Sequence, residues 1–443
     1  MIMSTRREKH AVVCGAGMAG LFAARVLAEH YEHVTIVERD RLSSIDKARR
    51  GVPQGNHVHG ILLRGGETME ELFPGLYSEL VEDGAVRTDF LTDVIFQYLG
   101  HRLYPAVTRH AAVLASRPFI EAHLRRRVLN VSNVHLCDDH EVTDIVMNME
   151  RNRASGVKIR SSDRLEENVL AADLVVDALG RTGRGLAWLK RIGYPVPYTQ
   201  RLSVPVRYAS RLFHIEHTIS KEFPAKMMVL GPQPNNRRAL IFFAQENDSW
   251  ILSLAGYDRF TPPRTHDQFL DAVRETSPTE IYPLIRAAEP IGKISTYSFP
   301  GGHRMRYERL RRHPRGLISL GDSICCLNPL YGTGITVAAE SAILLRDCLA
   351  RASGEDFTHR FYNGAAQITR PPWLMTKISD RVLNHQSAWR DPIAGLGSML
   401  IRRVARTAER NPTVAVALIE SIAMINPPAK LLHPRIIGQL LRP

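Results

Sequence analysis

The sequence has few cysteines and no apolar stretch long enough to cross a membrane. Its 443 residues contain five cysteines, at positions 14, 137, 325, 326 and 348, and none of them form a C-x-x-C pair. An odd number of thiols without paired spacing argues against a disulfide framework and predicts a cytoplasmic protein. The best candidate for a membrane span, from Thr413 to Ile425, is too short and contains Glu420.

The sequence also lacks internal repeats, low-complexity tracts and nucleic-acid-binding motifs. Its length predicts two or three structural units, and a hydrophobic content of 44% is typical of globular proteins. The formal net charge is +13, so nucleic acid and anionic membrane surfaces have to be considered as partners. Because aromatic residues do not interleave with basic runs such as Arg125–Arg127, we predict a solvated basic surface that binds no nucleic acid.

A glycine-rich turn follows an apolar run near the start of the sequence. Residues 11–20 read AVVCGAGMAG and contain the pattern G-x-G-x-x-G at Gly15, Gly17 and Gly20. These glycines permit a tight turn, a close approach to a pyrophosphate, and close packing of the helix that we predict from Met18. A second apolar strand ends at Glu38, where a carboxylate can accept hydrogen bonds from ribose hydroxyls. The pattern predicts a dinucleotide site, and the alternative is a glycine turn without a ligand.

A second strand-to-loop transition lies in the stretch GLISLGDSICCLNPLYGTG at 316–334. Asp322 follows a short apolar run directly, where a carboxylate can hold a ribityl hydroxyl of flavin. The loop 328–334 precedes a helix predicted over 335–349, whose free N–H groups can face the flavin edge that gains negative charge on reduction. This stretch favours FAD over NAD, and the alternative is an ordinary strand–loop–helix corner.

These stretches, with ADLVVDALGR at 172–181 between them, resemble three motifs of the para-hydroxybenzoate hydroxylase-like superfamily of FAD-dependent monooxygenases. The resemblance covers about residues 10–390. The middle stretch departs from the family's Asp-Gly motif, because Asp177 and Gly180 lie three positions apart. A second departure is Thr333, where the family leads us to expect a glutamine, and this difference bears on the substrate.

The segment RRGVPQGNHVHG at 49–60 is similar to bacterial flavin-dependent epoxidases of secondary metabolism, including the polyether epoxidases. The resemblance makes His57, His59, Arg50 and Tyr331 candidates for the cavity beside the flavin. On a strand, the two histidines would share one face, and they would either shape that cavity or serve as structural hydrogen-bonding residues. No Cys, Asp or Glu has a suitable local spacing to complete a metal site, so we predict no metal.

The resemblance implies an α/β protein in which a Rossmann-like FAD-binding domain is interleaved with an antiparallel-sheet substrate domain. The FAD-binding domain is predicted to comprise 1–75, 105–185 and 300–390, and the substrate domain 76–104 and 186–299. Alternating apolar segments between 202 and 257 support the second assignment, because they are typical of antiparallel strands. The tail, 391–443, is predicted to be helical. Three roles are open for this tail: it caps the substrate cavity, it touches a membrane surface, or it only packs against the domain.

The family's cofactor contacts carry over to this sequence residue by residue. In the family, an arginine at the head of the helix that follows Ser116 contacts FAD, and the resemblance assigns this role to Arg117. The cofactor-binding residues predicted in this way are Gly15, Ala16, Gly17, Ala19, Gly20, Glu38, Arg39, Arg50, Gln54, Arg117, Asp177, Gly321, Asp322, Gly332, Gly334 and Ile335.

The resemblance implies a monooxygenase that transfers one oxygen atom from O2 to a hydrophobic alkene, polyene or aromatic molecule, by epoxidation or hydroxylation. In that family reduced flavin forms a C4a-hydroperoxide, so we assign no protein base. NAD(P)H is the expected electron donor, directly or through a partner flavin reductase. Two alternatives stay open: a flavin-dependent reductase of isoprenoid double bonds and a basic nucleic-acid-binding protein. A flavin halogenase is disfavoured, because the tryptophans at 188, 250, 373 and 389 form no W-x-W-x-I-P motif.

Overall fold

The computed structural model describes residues 8–42, 48–49, 51–108, 110–163, 166–182, 184–216, 223–233, 235–258, 260–277, 279–351, 357–383 and 392–441. The strands in these ranges are β1 (Glu8–Cys14), β2 (Tyr31–Val37), β3 (Val86–Asp89), β4 (Val94–Tyr98), β5 (His101–Arg102), β6 (Ala111–Leu114), β7 (Val134–Cys137), β8 (His140–Met147), β9 (Ala154–Ser161), β10 (Glu167–Ala171), β11 (Leu174–Asp177), β12 (Thr199–Leu202), β13 (Val206–His214), β14 (Met227–Leu230), β15 (Arg238–Ala244), β16 (Ser249–Tyr257), β17 (Glu289–Phe299), β18 (Gly302–Met305), β19 (Leu317–Ser319) and β20 (Cys325–Cys326). The helices are α1 (Met18–Leu27), α2 (Leu63–Leu72), α3 (Leu76–Glu82), α4 (Arg117–Leu129), α5 (Arg184–Arg191), α6 (His266–Thr276), α7 (Ile281–Ala287), α8 (Gly334–Ala350), α9 (Phe357–Leu383), α10 (Pro392–Ala408), α11 (Pro412–Ile422) and α12 (Pro434–Leu440).

A five-stranded parallel sheet carries the three sequence motifs. Its strand order is β19, β11, β1, β2 and β7, and every neighbouring pair is parallel. The central strands β1 and β11 are buried along their apolar residues, in one core that also contains α1 and α8. Ligands of parallel sheets bind beyond the carboxyl ends of the strands. In this sheet the ends of β1, β11 and β19 lie side by side.

A seven-stranded sheet forms the second large unit, with the order β17, β13, β16, β15, β14, β4 and β5. All neighbours are antiparallel except β14 and β4. Adjacent residues of β13 belong to different cores, because side chains alternate between the two faces of a strand. Ala209 packs with α6 and α7, whereas Tyr208 packs in a core with α10, α11 and α12.

The helical tail therefore covers one face of the seven-stranded sheet. Val404 in α10 and Leu418 in α11 are fully buried and share a core with Tyr208, Tyr257 and the loop residue Leu330. Of the three expectations for the tail, packing against the rest of the chain agrees with the structure, and the role as a cap of the substrate cavity stays a prediction. No helix in the described part of the chain is both long and apolar enough to span a bilayer.

The predicted α/β architecture is confirmed, and the predicted helix over 335–349 corresponds to α8. The sequence patterns did not predict β17 or the sheet of β8, β9 and β10. β17 contains Pro290 and Gly292, which favour a loop. The structure accommodates them with a register shift opposite Ser210 and with a φ of +65° at Gly292. The domain boundaries remain a prediction, although β4 and β5 of the segment 76–104 do join the seven-stranded sheet.

Candidate functional site

The turn after β1 requires its glycines for steric reasons. Gly15 has a φ of +103°, which other residues rarely adopt, and a Cβ there would lie 2.8 Å from the carbonyl oxygen of Ala178. A Cβ on Gly20 would lie only 1.9 Å from the carbonyl oxygen of Gly15. The turn therefore lets α1 begin at Met18 close to the sheet, and no side chain caps its first N–H groups. An uncapped helix N-terminus of this kind suits an anionic phosphate.

Short contacts bring the three sequence motifs together at the carboxyl edge of the parallel sheet. The Gly180 N–H, which follows β11, donates to the Ser323 hydroxyl, which follows β19, at 3.1 Å. Gly321 has a φ of +66°, and a Cβ there would lie 2.8 Å from the Cβ of Ala19 in α1. The second and third motifs therefore contact each other, and the third also contacts the helix of the first.

Glu38 and Arg49 form the centre of a buried ionic cluster at the end of β2. Glu38 is 6% exposed and accepts hydrogen bonds from the N–H groups of Ala16, at 2.9 Å, and Asp40, at 3.1 Å. Arg49 Nη1 lies 2.9 Å from the same carboxylate, and Arg49 Nε donates to Glu121 at 2.9 Å. Burial acts to lower the pKa of Arg49, but Glu121 and Glu38 outweigh it and raise this pKa. The Glu38 carboxylate is therefore held beside the glycine turn by a fixed cation.

Arg117 is the first residue of α4, where the Ser116 hydroxyl caps the helix by accepting the Phe119 N–H at 3.2 Å. The Arg117 side chain is 11% exposed, and its Nε lies 3.5 Å from Glu121. Burial lowers the pKa of Arg117 against the opposing effects of Glu121 and Asp322. A buried cation with few anionic neighbours favours the binding of an anionic group such as a diphosphate.

Within the described residues, several buried donors around these motifs have no hydrogen-bond partner, and three of them carry the argument. They are Arg117 Nε, Arg181 Nη1 and Thr333 Oγ1, which come from three different segments. Buried polar groups are normally paired, so unpaired ones mark places where a ligand or water completes the structure. The Arg181 guanidinium also lies 4.7 Å from the ring centre of Phe299, at the end of β17. With the glycine turn, these donors fit an extended molecule with a diphosphate and a polar aromatic ring, as FAD has.

Asp322 and the N-terminus of α8 lie at the other end of the candidate site. Asp322 is half-buried, and burial raises its pKa while Arg117 acts to lower it. Gly332 adopts the left-handed region with a φ of +67°, and α8 begins at Gly334 without a side-chain cap. Ile335 is buried in the first turn of this helix. The ribityl-binding role of Asp322 and the flavin contacts of the helix N-terminus stay predictions, and this geometry agrees with them.

Asp177 is already bonded to protein groups. Its side chain is 1% exposed, and Oδ1 accepts from the Leu179 N–H at 3.1 Å and the Ser323 hydroxyl at 3.2 Å. The Ser319 hydroxyl lies 3.5 Å from Oδ2. Burial raises the pKa of Asp177, and these hydrogen bonds oppose that effect. The contacts join the ends of β11 and β19, so the geometry favours a structural role, and a direct contact with the cofactor remains only a prediction.

The segment 57–60 is not a strand, so the expectation that its histidines share a strand face is wrong. His57 Nδ1 lies 2.7 Å from the Ser210 hydroxyl of β13. Ser210 in turn is hydrogen-bonded to Ser253 of β16, whose hydroxyl accepts the Val58 N–H at 3.1 Å. This chain of hydrogen bonds attaches the segment to the seven-stranded sheet.

Both histidines are held in their neutral form. Burial lowers the pKa of His57 to about 4. Burial, with a smaller contribution from Arg117, lowers the pKa of His59 to about 3. His57 lies beside Tyr208 and Tyr297, with ring-centre distances of 6.3 Å and 5.8 Å. His57 therefore faces the seven-stranded sheet, whereas His59 is close enough to Arg117 to be affected by its charge.

Tyr331 and Asp380 connect the loop before α8 with α9. The Tyr331 hydroxyl donates to Asp380 Oδ1 at 2.8 Å. Asn328, buried in the same loop, donates from Nδ2 to the Tyr257 hydroxyl and accepts from the Tyr208 hydroxyl, each at 3.2 Å. Loop, sheet and helix therefore meet at one buried polar cluster. Tyr331 reaches this cluster, as its prediction as a cavity residue allows, but the cavity role itself stays a prediction.

The remaining predicted residues have weaker support. Arg50 lies outside the described residues. Gln54 is half-buried in the 3-10 helix Pro53–Asn56, and Arg39 is exposed next to Glu38. The neighbouring Arg49 has the contacts near the glycine turn, because its Nη2 would lie 3.9 Å from a Cβ on Gly17.

Sequence reasoning missed several residues that the structure brings to the site. Arg49 and Arg181 had a local signal, since each lies inside a stretch that was recognised as a motif. Asp380 and Ser210 had none, because their partners are distant in sequence and neither lies in a recognisable pattern. Such residues are identified only once the sheet and the tail are placed.

Two other places combine chemistry-bearing side chains, but neither joins the site. A surface groove of about 580 Å³ lies between α6 and the ends of β15 and β16, and its arginines Arg237 and Arg238 are paired with Asp258 and Glu275.

A second such place is a triad of Glu79, Asp83 and His123, which has the spacing of a metal site. Arg126 donates to both carboxylates, and Arg127 bonds Glu79 as well, so the negative charge is already neutralised. The triad is therefore explained as a surface ion-pair network between α3 and α4.

No protein-family model matches the chain. It is 33% identical over 442 residues to Protein Rv3254 of Mycobacterium tuberculosis, and the match covers 94% of this chain and 91% of that protein. The match therefore extends over nearly the full length of both chains.

Flavin-dependent proteins are among the solved structures with a similar fold. A flavoprotein/dehydrogenase from Cytophaga hutchinsonii gives a TM-score of 0.67 at 15% identity, covering 98% of both chains. The flavin-dependent brominase Bmp2 gives 0.62 at 16% identity, covering 97% of this chain and 93% of that one. PqsL of Pseudomonas aeruginosa, described as a probable FAD-dependent monooxygenase, gives 0.63 at 16% identity, covering 88% of this chain and 99% of that one. The fold expected from the para-hydroxybenzoate hydroxylase-like superfamily is therefore confirmed, and the chain belongs to the same family as Protein Rv3254.

Proposed function

We propose that this protein is an FAD-dependent monooxygenase of secondary metabolism that acts on an apolar alkene, polyene or aromatic small molecule. The observation that carries the proposal is the meeting of three motifs at one sheet edge, with buried donors that lack partners. The balanced reaction is that substrate, O2, NAD(P)H and a proton give the oxygenated product, NAD(P)+ and water. Electrons reach the flavin from NAD(P)H directly or through a flavin reductase.

On the dinucleotide side, the protein's task is to hold an extended anion. The uncapped start of α1 and the guanidinium groups of Arg49 and Arg117 supply positive charge for the diphosphate. Glu38, already oriented by the Ala16 N–H, is placed to accept hydrogen bonds from a ribose. Asp322 would hold the ribityl chain. When bound and reduced, FAD supplies the activation of O2 that amino-acid side chains cannot perform.

On the substrate side, the protein's task is to orient an apolar molecule and exclude water. Tyr208, Tyr257 and Tyr297 of the seven-stranded sheet lie on the face that the helical tail covers. The buried residues of α10 and α11 keep this face from solvent. Neutral His57 can hydrogen-bond without placing a charge in an apolar region. These features support an apolar substrate.

The proposal is tested by supplying the purified protein with FAD, NADPH and isotope-labelled O2 together with a panel of polyenes and phenols. The expected result is a product that is heavier by one labelled oxygen atom, formed only when the flavin is bound. A Gly20→Val variant, whose side chain would enter the glycine turn, serves as the control without cofactor.

Other outcomes identify the alternatives. A saturated product formed without O2 would indicate a double-bond reductase, and incorporation of bromide or chloride would indicate a halogenase. A colourless protein whose affinity for DNA falls steeply with salt would indicate nucleic-acid binding and overturn the proposal. If NADPH does not bleach the flavin but an added reductase does, the enzyme needs a partner protein for its electrons.

A further inference from the structure

A carboxyl group is buried where the loop before α8, the seven-stranded sheet and α9 meet. Asp380, near the end of α9, is 4% exposed. It accepts the Tyr331 hydroxyl at 2.8 Å, and Tyr257 and Asn328 lie close enough to lower its pKa. We name these four residues, together with Tyr208, the Asp380 cluster. Its members come from α9, from the loop, and from strands β13 and β16.

The described groups that act on this carboxyl are all uncharged. They are the hydroxyls of Tyr331 and Tyr257 and the amide of Asn328, while the Tyr208 hydroxyl reaches the cluster through the same amide. A carboxylate that is buried without a cation is costly unless hydrogen bonds compensate for it. A core of this kind would be more stable with apolar residues, so its polar composition calls for a reason.

We propose that Asp380 is a positioning residue, which fixes the loop 328–334 against the substrate sheet through the Tyr331 phenol. The inference rests on the proposed function, because this loop precedes the helix N-terminus that is expected to face the flavin. Within the loop, Asn328 also accepts the Leu330 N–H at 3.1 Å, so the amide shapes the turn that Tyr331 continues. Asp380 therefore acts on the flavin only through the loop.

The proton on Asp380 decides how the cluster is bonded. Burial raises the pKa of Asp380 to about 6, and Tyr331, Tyr257 and Asn328 oppose this effect. The ionised carboxylate only accepts hydrogen bonds, whereas the protonated acid has a donor that at least one phenol must accept. The two states hold Tyr331 differently, so the position of the loop depends on pH near this pKa.

The test compares the wild-type protein with Asp380→Asn, which keeps the shape but cannot ionise, and with Tyr331→Phe, which removes one hydroxyl. Ser379→Ala is the matched control, because Ser379 neighbours Asp380 but bonds Tyr98, at 3.2 Å. The first measurement is the absorbance and fluorescence of bound FAD between pH 5 and 7.5. The second measurement is the thermal unfolding of the cofactor-free proteins over the same pH range.

We expect the flavin signal of the wild type and of Ser379→Ala to change with a midpoint near pH 6, and that of Asp380→Asn to stay constant. Tyr331→Phe is expected to weaken FAD binding about threefold to tenfold, as one lost hydrogen bond does. In the cofactor-free proteins, the stability of the wild type relative to Asp380→Asn should fall as the pH rises through 6. The reason is that an acid whose pKa is raised by folding favours the folded state only while it is protonated.

The outcomes separate the two proposals. If the wild type binds FAD but the flavin signals of Asp380→Asn and Tyr331→Phe match it at every pH, the positioning role is overturned and the proposed function stands. If the wild type binds no FAD, the proposed function fails and the positioning role fails with it. If Asp380→Asn does not fold, Tyr331→Phe alone decides, because removing its hydroxyl leaves the carboxyl in place.

Discussion

The parallel sheet and the seven-stranded sheet build their parts of the site in different ways. In the parallel sheet, the residues near the proposed FAD lie within a few positions of a strand end, as in the turn from Cys14 to Gly20. In the seven-stranded sheet, contacts join distant parts of the chain: His57 and Ser210 are 153 positions apart, and Tyr98 and Ser379 are 281 apart. The proposed cofactor half is therefore built from motifs that are each local in sequence, although contacts such as Gly180–Ser323 join them in the fold. The proposed substrate half has no such local motifs.

The difference also concerns what each half has to recognise. A dinucleotide presents the same phosphates and riboses to every protein, so glycines and a helix N-terminus at fixed spacing suffice. Substrates differ from one enzyme to another. The buried tyrosines, serines and histidine at the seven-stranded sheet follow no fixed spacing, so single substitutions there could change which substrate fits. The brominase Bmp2 and PqsL, which is described as a probable monooxygenase, both have this fold at 16% identity to this chain.

The largest effect is expected in the local half, at Gly20. Gly20→Ala places a Cβ 1.9 Å from the carbonyl oxygen of Gly15, which belongs to the turn itself and cannot move away. We expect a loss of at least about 3 kcal/mol of stability and no detectable FAD binding. The measurements are urea unfolding and flavin absorbance after gel filtration.

The matched control for this variant is Gly438→Ala in α12, where a Cβ would meet nothing within 4 Å. An alanine inside a helix is favoured over glycine by about 1 kcal/mol, so this variant should be as stable as the wild type or more so. Normal FAD binding by Gly20→Ala would contradict the steric account of the turn.

A variant of Arg117 tests whether FAD affinity can be lowered without lowering the stability of the cofactor-free protein. Arg117→Met keeps the volume of the side chain and removes a buried cation whose Nε lies 3.5 Å from Glu121 without forming a hydrogen bond. FAD affinity should fall at least about tenfold, roughly 1.4 kcal/mol, because a charge-assisted contact is lost. The cofactor-free protein should change by less than about 1 kcal/mol, since Glu121 keeps its bond to Arg49. Isothermal titration and thermal unfolding measure the two quantities.

Arg126→Met is the control for that experiment, because Arg126 lies on the same helix but is 51% exposed and pairs with Glu79 at the surface. Its FAD affinity should equal that of the wild type. An equal loss of stability and affinity in Arg117→Met would show that the arginine is structural instead.

In the proposed substrate half, we expect a smaller loss of stability and no change in FAD affinity. Ser210→Ala leaves His57 Nδ1 and the Ser253 hydroxyl without their shared partner. We expect a loss of about 1–2 kcal/mol in the free energy of unfolding and an unchanged FAD affinity. The double variant with Ser253→Ala should cost less than the sum of the single changes, because one network is removed twice. Additive costs would argue that the hydroxyls act independently.

The smallest expected effect is the contribution of His57 to the pH dependence of the free energy of unfolding. Its pKa is about 4 in the folded protein, below the ordinary value of 6.5, so the unfolded chain binds more protons between these values. Stability should therefore rise with pH across this window, by at most about 1.4 kcal/mol per unit. His57→Gln should show a shallower slope in urea unfolding at pH 5 and 7, and an unchanged slope would place the titration elsewhere.

The sequence predicted more of the site at the parallel sheet than of the site at the seven-stranded sheet. The glycine turn, Glu38 and the transition into α8 were predicted because each combines a strand end with residues whose chemistry is local. The cofactor contact predicted for Asp177 stays a prediction, and the structure adds that its oxygens are bonded to Leu179, Ser319 and Ser323. The sequence shows that a carboxylate follows a strand, but not which hydroxyls of a neighbouring strand will reach it.

The substrate half could not be predicted to the same extent. Strands such as β14 and β16 were recognised by their alternating pattern, but no pattern shows that Ser210 and Ser253 lie opposite each other. The two histidines would share a face only on a strand, and the segment 57–60 is not one, because its partners are side-chain hydroxyls and not a neighbouring backbone. Asp380 lies in a long amphipathic helix, and only the folded structure shows that it is buried against the loop before α8.

The most direct test of the central claim is titration of the cofactor-free protein with FAD, followed by its visible spectrum and its bound stoichiometry. The account predicts equimolar FAD, an absorption spectrum perturbed from that of free flavin, and loss of binding in Gly20→Ala but not in Ser210→Ala. If the protein binds no FAD, or if the two variants bind it equally, the assignment of the glycine turn and its surrounding donors to a flavin cofactor is contradicted.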